Sequence, residues 1–338
     1  MKRYEMHPTQ AASPLRMAEF EPRPLGEHEV AVAIKAVTLN YRDLLVSRNT
    51  YFCNIPDGRV PCSDGAGEVV AVGKQVKTLA VGDRVATLFF PGWQSGRPEA
   101  AYVANALGAE TDGALTERFI AAESGLIKLP AGMSHAEAAS LPCAALTAWN
   151  SLFEVGDLRP GQTVLLQGTG GVSIFGLQFA KAAGARVIIT SSDDAKLERA
   201  RALGADDTIN YKKQPDWSAE VLRLTGGRGV DVVIEVGGPG TLEQSLASVC
   251  LGGRIAYVGV LTGLAGAANP VALIPKAASI HGIFVGSRAM FSDMLAAMSR
   301  HRIKPQIDRE FAFAEAPAAL ARLQSGGHFG KIAITVGS

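Results

Sequence analysis

Cysteines and long apolar runs are both scarce in this chain. The four cysteines are widely separated and show no C-x-x-C spacing: Cys53, Cys62, Cys143 and Cys250. This arrangement argues against a disulfide framework and against a cysteine-built zinc lobe. No stretch is long and apolar enough to span a bilayer, and the start, MKRYEMHPTQ, lacks the apolar core of a secretion signal. We therefore expect a cytoplasmic protein with no membrane partner.

An excess of charge of either sign is also missing. The formal net charge is +1 and charged residues make up 19% of the sequence, which argues against a nucleic-acid partner or a polybasic membrane anchor. The 47% of apolar residues is typical of a globular protein with much to bury. At 338 residues the chain is too long for one ordinary core, so we expect two domains.

The predicted secondary structure changes in character near Gly161. Before that point, β-branched runs such as Val30–Val37 lie between Gly, Pro and Asp, as in a β-rich domain. After it, strands alternate with amphipathic stretches, which predicts a parallel sheet with helices on both faces. Strands are predicted at 163–167, 186–190, 207–210, 230–236, 254–260 and 279–285, and helices at 171–183, 194–203 and 241–249. The predicted fold is α/β, with a doubly wound parallel-sheet domain at 126–286 inserted into a β-rich domain formed by 1–125 and 287–338.

The most informative segment is QTVLLQGTGGVSIFGLQFAKAAG, residues 162–184. An apolar run meets a glycine turn and then an amphipathic stretch, which ends at Gly184, where a C-terminal cap belongs. Strand, glycine turn and helix in this order predict a pyrophosphate site, because backbone N–H groups and the helix dipole face the negative charge. The residues predicted to form it are Gly168, Gly170, Gly171 and Val172. Ser173 replaces the third glycine of G-x-G-x-x-G, so an ordinary turn before a helix is the alternative.

The residues after the second strand bear on the choice between NAD(H) and NADP(H). In this fold a carboxylate about 20 residues past the glycines binds the adenosine ribose of NAD, whereas here the strand runs into Ser191 and Ser192. A hydroxyl can hydrogen-bond a 2′-phosphate that a carboxylate would repel, and Lys196 and Tyr211 follow within reach. These four residues predict NADP(H) as the cofactor.

Two features keep NAD(H) as an alternative. Lys196 and Arg199 also fit the solvated face of a helix. Asp193 and Asp194 add negative charge close to the predicted phosphate pocket.

Several motifs, in order along almost the whole chain, resemble those of the medium-chain dehydrogenase/reductase superfamily. They are LNYRDLL (39–45), PCSDGAGEVVAVG (61–73), VGDRV (81–85), LPCAALTAW (141–149), GTGGVS (168–173), GGRIAYVGV (252–260) and FGKIAI (329–334). Within the superfamily, the chain resembles the zinc-lacking, quinone-oxidoreductase-like branch. This resemblance implies a Rossmann NADP-binding domain inserted into a GroES-like catalytic domain. It also implies a homodimer or homotetramer paired through the strand at 279–285.

The zinc ligands of the alcohol dehydrogenases in this superfamily are mostly missing. By motif alignment the first ligand, a Cys, becomes Asn40, the His–Glu pair becomes Ser63–Asp64, and only the second Cys is kept, as Cys143. The four clustered cysteines of the family's structural zinc lobe are absent from 91–113. A zinc site needs about three protein N or S donors, so we predict that the protein holds no zinc.

The loss of the metal changes the chemistry that the resemblance implies. Zinc acts as a Lewis acid on an alcohol, so that hydride can leave its carbon. Without zinc, NADPH can still give hydride to a small electrophilic molecule such as a quinone or an α,β-unsaturated carbonyl compound. The predicted function is therefore that of an NADPH-dependent oxidoreductase acting on quinones or on activated alkenes and carbonyls. The alternatives are a metal-independent alcohol or aldehyde dehydrogenase and a non-catalytic NADPH-binding protein.

The resemblance also assigns further residues to the cofactor. Thr147 matches a position that packs on the nicotinamide in relatives, and Lys331 resembles another cofactor contact. The backbone near Gly237, Val260 and Val285, at the carboxyl ends of predicted strands, is expected to line the cofactor cleft. These assignments spread the cofactor contacts over both predicted domains.

Asn40 and Tyr41 stand where the family keeps its first metal ligand and its proton-relay hydroxyl. Asn40 is expected to orient the substrate or the nicotinamide ribose. Tyr41 is expected to donate a proton or a hydrogen bond to the developing enolate. The alternative for Tyr41 is a place in the cleft lining, with water supplying the proton.

Two further polar residues of this region are given structural roles. Arg42 is expected to pair with Asp43 or Asp64. Cys143 is interpreted as a buried remnant of the metal site, because nothing basic adjoins it in sequence to lower the pKa of its thiol.

Overall fold

The computed structural model describes residues 1–8, 14–266 and 268–337. It divides into a β-rich unit, Met1–Leu146 with Val285–Ser338, and a parallel-sheet unit, Thr147–Phe284. The strands are β1 (Lys2–Met6), β2 (Leu15–Glu19), β3 (Glu29–Thr38), β4 (Asp64–Val72), β5 (Arg84–Thr87), β6 (Arg118–Ala122), β7 (Leu126–Lys128), β8 (Thr163–Gln167), β9 (Arg186–Ser191), β10 (Asp207–Asn210), β11 (Val230–Glu235), β12 (Val249–Tyr257), β13 (Ser279–Gly282), β14 (Ile307–Ala312) and β15 (Lys331–Thr335). The α-helices are α1 (Tyr41–Ser47), α2 (Ala100–Val103), α3 (His135–Ala139), α4 (Leu146–Trp149), α5 (Gly171–Ala182), α6 (Asp194–Ala202), α7 (Trp217–Leu224), α8 (Leu242–Ser248), α9 (Arg288–His301) and α10 (Ala316–Gln324). Among the residues described, no helix combines the length and apolarity needed to cross a bilayer.

The parallel-sheet unit is built on one six-stranded sheet in the order β10-β9-β8-β11-β12-β13. Every neighbouring pair is parallel, which gives the 3-2-1-4-5-6 order of a doubly wound Rossmann sheet. Strands β8 and β11 lie at its centre and are buried along their whole length, as strands covered on both faces are. The fold class predicted from the sequence is confirmed for this unit.

The strands and helices predicted for this unit agree with the structure to within one residue at each end, except for β12, which begins at Val249 rather than at 254, and for the carboxyl ends of β12 and β13. β12 ends at Tyr257 rather than at 260, because its neighbour β11 itself ends at Glu235, the residue that pairs with Tyr257. β13 ends at Gly282 rather than at 285, and Val285 has a left-handed backbone with a φ of 54°. The ends of these strands are therefore set by neighbouring structure and not by the apolar run alone.

Helix α7 has no counterpart in the sequence-based prediction. Asp216 caps it by accepting a hydrogen bond from Ala219 N (3.1 Å). The helix buries Trp217 and Val221, one turn apart, in the core of the unit. Trp217, Val221 and Leu224 recur at helical spacing, but two turns are too short a periodic signal to distinguish a helix from a loop.

The β-rich unit contains a seven-stranded sheet in the order β14-β15-β3-β4-β5-β7, with β6 paired to β3. Alternate residues of β3, Val30, Val32 and Ile34, belong to its core. β7 pairs with β5, so the stretch after residue 125 belongs to this unit. The structure thus divides the chain at 146/147 and 284/285, whereas the sequence-based prediction placed the limits of the inserted domain at 126 and 286.

Candidate functional site

The turn between β8 and α5 has the shape that the glycine pattern predicts. Gly168 has a φ of 70°, in the left-handed region that favours glycine. Gly170 is the extended N-cap, Gly171 is the first residue of α5, and Val172 follows. The first N–H groups of this 12-residue helix lack acceptors within the helix and project from its N-terminus, where the dipole favours an anion. The four predicted residues are thus brought together in one turn whose chemistry suits a phosphate.

Ser173, which replaces the third glycine of the motif, closes this turn with a hydrogen bond. Its buried hydroxyl donates to Gln167 O (2.6 Å). The close approach of α5 to the sheet falls instead at Gly176, where a Cβ would lie 3.1 Å from Ile234 Cδ1 and from Leu166 Cδ2. The departure from the motif therefore moves the packing glycine along the helix without opening the turn.

The carboxyl end of β9 presents hydroxyls and no carboxylate, as predicted. Ser191, the last residue of the strand, is buried, and its carbonyl accepts from Tyr211 N (3.0 Å). Ser192 and Lys196 are half-buried, and Tyr211 is 41% exposed. The structure brings these four residues to the carboxyl ends of β9 and β10 and to the first turn of α6.

Both acidic residues beside this group have partners of their own. Asp193 caps α6 by accepting from Lys196 N (3.2 Å). Asp194 accepts from Lys213 Nζ (2.6 Å) and from Asn210 Nδ2 (2.7 Å), and these hydrogen bonds lower the pKa of its carboxyl. These partners offset the charge that the two acids would otherwise present to a nearby phosphate.

A buried carboxylate that sequence reasoning missed braces the strand ends next to the glycine turn. Glu235, the last residue of β11, is fully buried. Its oxygens accept hydrogen bonds from Gln167 Nε2 (2.6 Å), Gly238 N (2.9 Å), Thr241 Oγ1 (2.6 Å) and Ser245 Oγ. Gln167 Oε1 in turn accepts from Gly237 N (3.2 Å), which holds this predicted cofactor contact in place. The acid at the end of the apolar run 230–235 is the signal by which the sequence could have revealed it.

The other predicted cofactor contacts lie in a loop or next to the chain positions at which one unit ends and the other begins. Val260 lies three residues past the end of β12, and Thr147 is the buried first residue of the parallel-sheet unit. Val285 lies in the β-rich unit with a φ of 54°. A β-branched residue in that region is strained by about 1–3 kcal/mol, and such strain is concentrated at functional sites.

In the β-rich unit, residues singled out from the sequence meet at a buried lysine. Lys331 is 3% exposed, and its ammonium donates to Leu39 O (2.8 Å), Asn40 Oδ1 (2.6 Å) and Asp64 Oδ2 (3.4 Å). Pairing of β15 with β3 and of β3 with β4 brings these groups together. A direct bond from Lys331 to the cofactor would require one of these contacts to break, and that role stays a prediction.

Asp64 is fully buried and surrounded by donors. Its Oδ1 accepts from Ser63 Oγ (2.7 Å), and its Oδ2 from Thr38 Oγ1 at 3.4 Å. With Lys331 it forms a buried ion pair. Ser63 and Asp64, which align with the His–Glu pair of the zinc enzymes, are thus tied to each other and to a lysine.

Cys143 carries a neutral thiol. It is surrounded by protein atoms although part of its surface is exposed. Burial, with a smaller effect of the Asp64 carboxylate, raises the pKa of this thiol to about 12. The thiolate is the form that attacks electrophiles, so Cys143 is a weak candidate for a nucleophile at neutral pH. The interpretation of Cys143 as a buried remnant of the metal site holds in part, because the thiol is enclosed by the protein while some of the residue's surface stays exposed.

Arg42 does not make the ion pair that was predicted for it. Its buried guanidinium donates from Nη1 to Leu107 O (2.6 Å) and lies 4.8 and 4.4 Å from the ring centroids of Tyr51 and Phe89. Its Nε and Nη2 have no hydrogen-bond partner in the part of the chain that the structure describes. The predicted pairing with Asp43 or Asp64 is not a direct ion pair: the Asp43 carboxylate interacts with Arg42 through its charge, and two aromatic rings and a carbonyl surround the cation.

Two family models match the chain. The alcohol dehydrogenase GroES-like domain matches residues 26–131, which lie in the β-rich unit. The zinc-binding dehydrogenase model matches residues 171–300. The first match confirms the GroES-like part of the predicted fold, and the second raises the question of whether the residues present suit zinc.

The donor set does not fit zinc. The Asn40 amide is neutral and already bonded to Lys331, the Ser63 hydroxyl donates to Asp64, and the Asp64 carboxylate is also bonded to Lys331, which leaves Cys143 as a single sulfur donor. Zinc is bound by thiolate, imidazole or carboxylate, and an ammonium group 2.6 Å from the amide oxygen would repel it. Over residues 1–8, 14–266 and 268–337, no group of three or more His, Cys, Asp or Glu is arranged to hold a metal ion.

The chain is similar over nearly its whole length to several known proteins. It is 42% identical over 329 residues to a zinc-type alcohol dehydrogenase-like protein of Schizosaccharomyces pombe, with 95% of each chain covered. It is 32% identical over 321 residues to a quinone oxidoreductase of Pseudomonas aeruginosa, with 91% of each covered. A solved structure from Sinorhizobium meliloti 1021, described as an alcohol dehydrogenase, is 43% identical and superposes with a TM-score of 0.93 over 99% of this chain and 98% of that one. With two domain matches and this coverage, the chain belongs to the medium-chain dehydrogenase/reductase superfamily and is an oxidoreductase of the alcohol dehydrogenase and quinone reductase type.

Proposed function

We propose that this chain is an NADPH-dependent oxidoreductase that delivers hydride to a quinone, an activated alkene or an activated carbonyl compound, and that it works without zinc. The observation that carries the proposal is the position of the Lys331 ammonium, 2.6 Å from Asn40 Oδ1 and 3.4 Å from Asp64 Oδ2. These two residues align with metal ligands of the zinc alcohol dehydrogenases. A side-chain cation in that position favours acceptors that are already electrophilic over unactivated alcohols, which depend on a Lewis acid.

The choice of NADPH over NADH is supported by the end of β9. Ser191 and Ser192 stand where a carboxylate would bind an unphosphorylated ribose. Asp193 and Asp194, the acids nearest to them, are engaged by the α6 N-terminus and by Lys213. A 2′-phosphate would therefore meet hydroxyls and cations with little unbalanced negative charge.

NADPH, when bound, supplies the hydride. The residues of the chain manage the charge that then develops on the acceptor oxygen. We assign a hydrogen bond to that oxygen to Asn40 Nδ2 and the proton to the Tyr41 hydroxyl, one residue along. Cys143, as a neutral thiol, takes no nucleophilic part.

A metal-independent alcohol or aldehyde dehydrogenase is the second candidate, and the names of the S. pombe and S. meliloti proteins favour it. In that direction a base must take the hydroxyl proton as hydride leaves. Asp64, the carboxylate of the cluster, already accepts from Ser63 and Lys331. The site therefore offers hydrogen-bond donors for a reduced oxygen more readily than a free base to take a proton from an alcohol. This favours reduction over alcohol oxidation.

The test is a comparison of both directions on one preparation. NADPH and NADH oxidation are measured with menadione and cyclohexenone, and NADP⁺ reduction with a panel of alcohols and aldehydes. We expect turnover with the quinone and the enone, and a preference for NADPH in kcat/KM of about tenfold or more, or about 1.4 kcal/mol. Ser192→Asp, which returns a carboxylate to the end of β9, is expected to weaken the use of NADPH and to leave the use of NADH largely unchanged.

Each part of the proposal has its own contrary result. A clear preference for NADH contradicts the coenzyme assignment, and faster alcohol oxidation supports the second candidate. Zinc in stoichiometric amount by elemental analysis, with activity lost on chelation, contradicts the metal-free route. Tight NADPH binding without turnover of any acceptor indicates a non-catalytic binding protein.

A further inference from the structure

The side-chain amide of Asn40 is satisfied on one side only. Its Oδ1 accepts from Lys331 Nζ (2.6 Å). Its Nδ2 is buried and has no hydrogen-bond partner among residues 1–8, 14–266 and 268–337. The whole residue is 9% exposed, so bulk water has little access to it. Buried N–H groups are nearly always paired in folded proteins, and this one lacks the oxygen that would pair with it.

Lys331 fixes which end of the amide remains unpaired. A lysine ammonium has three donors and no acceptor, so the amide atom next to it must be the oxygen. If the amide were turned over, N–H would face N–H. Lys331 therefore holds the two N–H donors of Nδ2 on the opposite side of the amide from itself.

Helix capping does not account for this side chain. Asn40 is the N-cap of α1, and an N-cap Asn usually accepts from a backbone N–H in the first helical turn. Here Asp43 N donates to the backbone oxygen of Asn40 (2.9 Å), and the side-chain Oδ1 accepts from Lys331. The side chain that does act at this helix end is that of Asp43, whose carboxylate accepts a hydrogen bond from Asn40 N (2.8 Å). The side-chain amide of Asn40 therefore does not serve to stabilise the N-terminus of α1.

We propose that Lys331 is a positioning residue that holds the Asn40 amide so that Nδ2 donates to the substrate oxygen that becomes negatively charged. The inference rests on the proposed function and specifies its substrate class as carbonyl compounds conjugated to a C=C bond, which include enones and quinones. Hydride from NADPH forms a C–H bond at the electrophilic carbon, and the C=C electrons move to make an enolate. NADP⁺ is left, and one proton completes the reduced product. The enolate oxygen is the atom that Nδ2 contacts.

The charges around the amide suit that task. Lys331 and Asp64 are 3% and 0% exposed and offset one another. The ammonium bonded to Oδ1 draws electron density from the amide and so strengthens its N–H donors. A preorganised donor of this kind gains most when the oxygen it faces acquires charge. The arrangement therefore favours the transition state over the neutral substrate.

Two substitutions separate the donor from its support. Asn40→Asp keeps an oxygen for Lys331 but replaces the free N–H donors with a second acceptor. Lys331→Met keeps most of the side-chain volume but releases the amide. The matched control is Lys276→Met, which removes a half-buried lysine that donates to three backbone carbonyls in the parallel-sheet unit.

The expected result is a loss of turnover that does not follow stability. With NADPH and cyclohexenone, Asn40→Asp should lower kcat by about 10²–10³-fold, as removal of one oxyanion donor does, while the midpoint of thermal unfolding is kept. Lys331→Met should lower kcat as well. In an Asn40→Ala background it should have little further effect on kcat, because residues acting through one another are not additive. Lys276→Met should lower the midpoint without lowering kcat.

A second measurement does not depend on turnover. The side-chain amide N–H signals of Asn40, identified by their loss in Asn40→Asp, are followed by NMR as cyclohexenone is added in the presence of NADP⁺. We expect these signals to shift in the wild type and in Lys276→Met. In Lys331→Met, where the amide is no longer held, we expect no comparable shift.

The outcomes are distinguishable. If the wild type reduces enones and both variants keep its kcat, or if the effects of Asn40→Ala and Lys331→Met simply add, the inference is overturned and the proposed function stands. Weaker NADPH binding with unchanged kcat would assign Asn40 to the coenzyme and would also overturn it. If the wild type reduces no acceptor, the proposed function fails. The NMR shift then decides alone whether Asn40 binds a carbonyl oxygen, and its absence overturns the inference.

Discussion

Tyr41 is the residue to which the proton of the reduction is assigned. It opens α1 directly after Asn40 and is half-buried against the core of the β-rich unit. We expect Tyr41→Phe to lower kcat with cyclohexenone by about 10²-fold, the lower end of what general acids contribute. The thermal midpoint should change little, because only one half-buried hydroxyl is lost. Steady-state kinetics with NADPH measures the effect.

The matched control for this substitution is Tyr4→Phe. It removes a hydroxyl that donates to Ala314 O (3.2 Å), a bond worth about 1 kcal/mol, and should leave turnover unchanged. If Tyr41→Phe also turns over a good enone at the wild-type rate, Tyr41 is removed from the mechanism and water becomes the proton donor.

The chemistry of single residues could be predicted where it depends on neighbours in sequence. Ser191 ends β9 and Ser192 follows it, as expected, because the strand and its end are local features. Asn40 was singled out, but the lysine that orients it lies 291 residues away. Arg42 was assigned to an acid close in sequence, whereas its actual partners depend on how distant segments pack.

Helix α5 meets the sheet of its unit at Gly176. A Cβ at this position would lie 3.1 Å from Ile234 Cδ1 and Leu166 Cδ2, on two strands that are buried throughout. We expect Gly176→Val to lower the free energy of unfolding by about 1–3 kcal/mol, the usual cost of overpacking a core. Because the same helix begins at the glycine turn, coenzyme affinity should fall as well. Denaturant unfolding and coenzyme titration measure the two effects.

Ala202→Val provides the comparison for that substitution. Ala202 is exposed in the last turn of α6. This substitution therefore also introduces a valine side chain, but at a position on the protein surface. Its cost should stay below about 1 kcal/mol, which reflects helix propensity alone. Equal losses in the two variants would mean that the contact of Gly176 with the sheet is unimportant.

The sequence predicted where the strands and helices lie along the chain better than it predicted where each of them begins and ends. Apolar runs and glycine punctuation are local, so the strands and most helices of the parallel-sheet unit were found in order. The end of β12 depends on where β11 stops, and the assignment of β7 depends on its pairing with β5. The hydrogen bond from Gln167 to Glu235 spans 68 residues, so no local pattern contains it.

For the whole molecule, we propose a homodimer or homotetramer that pairs through β13. This strand lies at the edge of the six-stranded sheet. Ile280 within it is 38% exposed, and Phe284 just after it is 40% exposed. Apolar edge strands favour pairing with another chain. We expect Ile280→Lys to shift the protein toward the monomer in size-exclusion chromatography with light scattering.

Val81→Lys controls for the loss of an exposed apolar side chain. Val81 is 64% exposed and lies in the β-rich unit, so its replacement should leave the assembly intact. A wild-type monomer at micromolar concentration, or dissociation by Val81→Lys to the same degree, contradicts the assignment of β13 as the interface.

The contact between Lys331 and Asn40 also has a consequence for biosynthesis. β15 must insert beside β3 before the ammonium can reach the amide, and the two residues are separated by 291 positions. In a ribosome-bound chain whose residues 331–335 have not yet emerged, β3 and β4 can already be paired. The Lys331 ammonium that contacts Asn40 and Asp64 is then still missing. Closure of so long a loop is therefore a late, entropically costly event. A nascent chain can then gain its nucleotide-binding sheet well before it gains the groups proposed here for hydride acceptance.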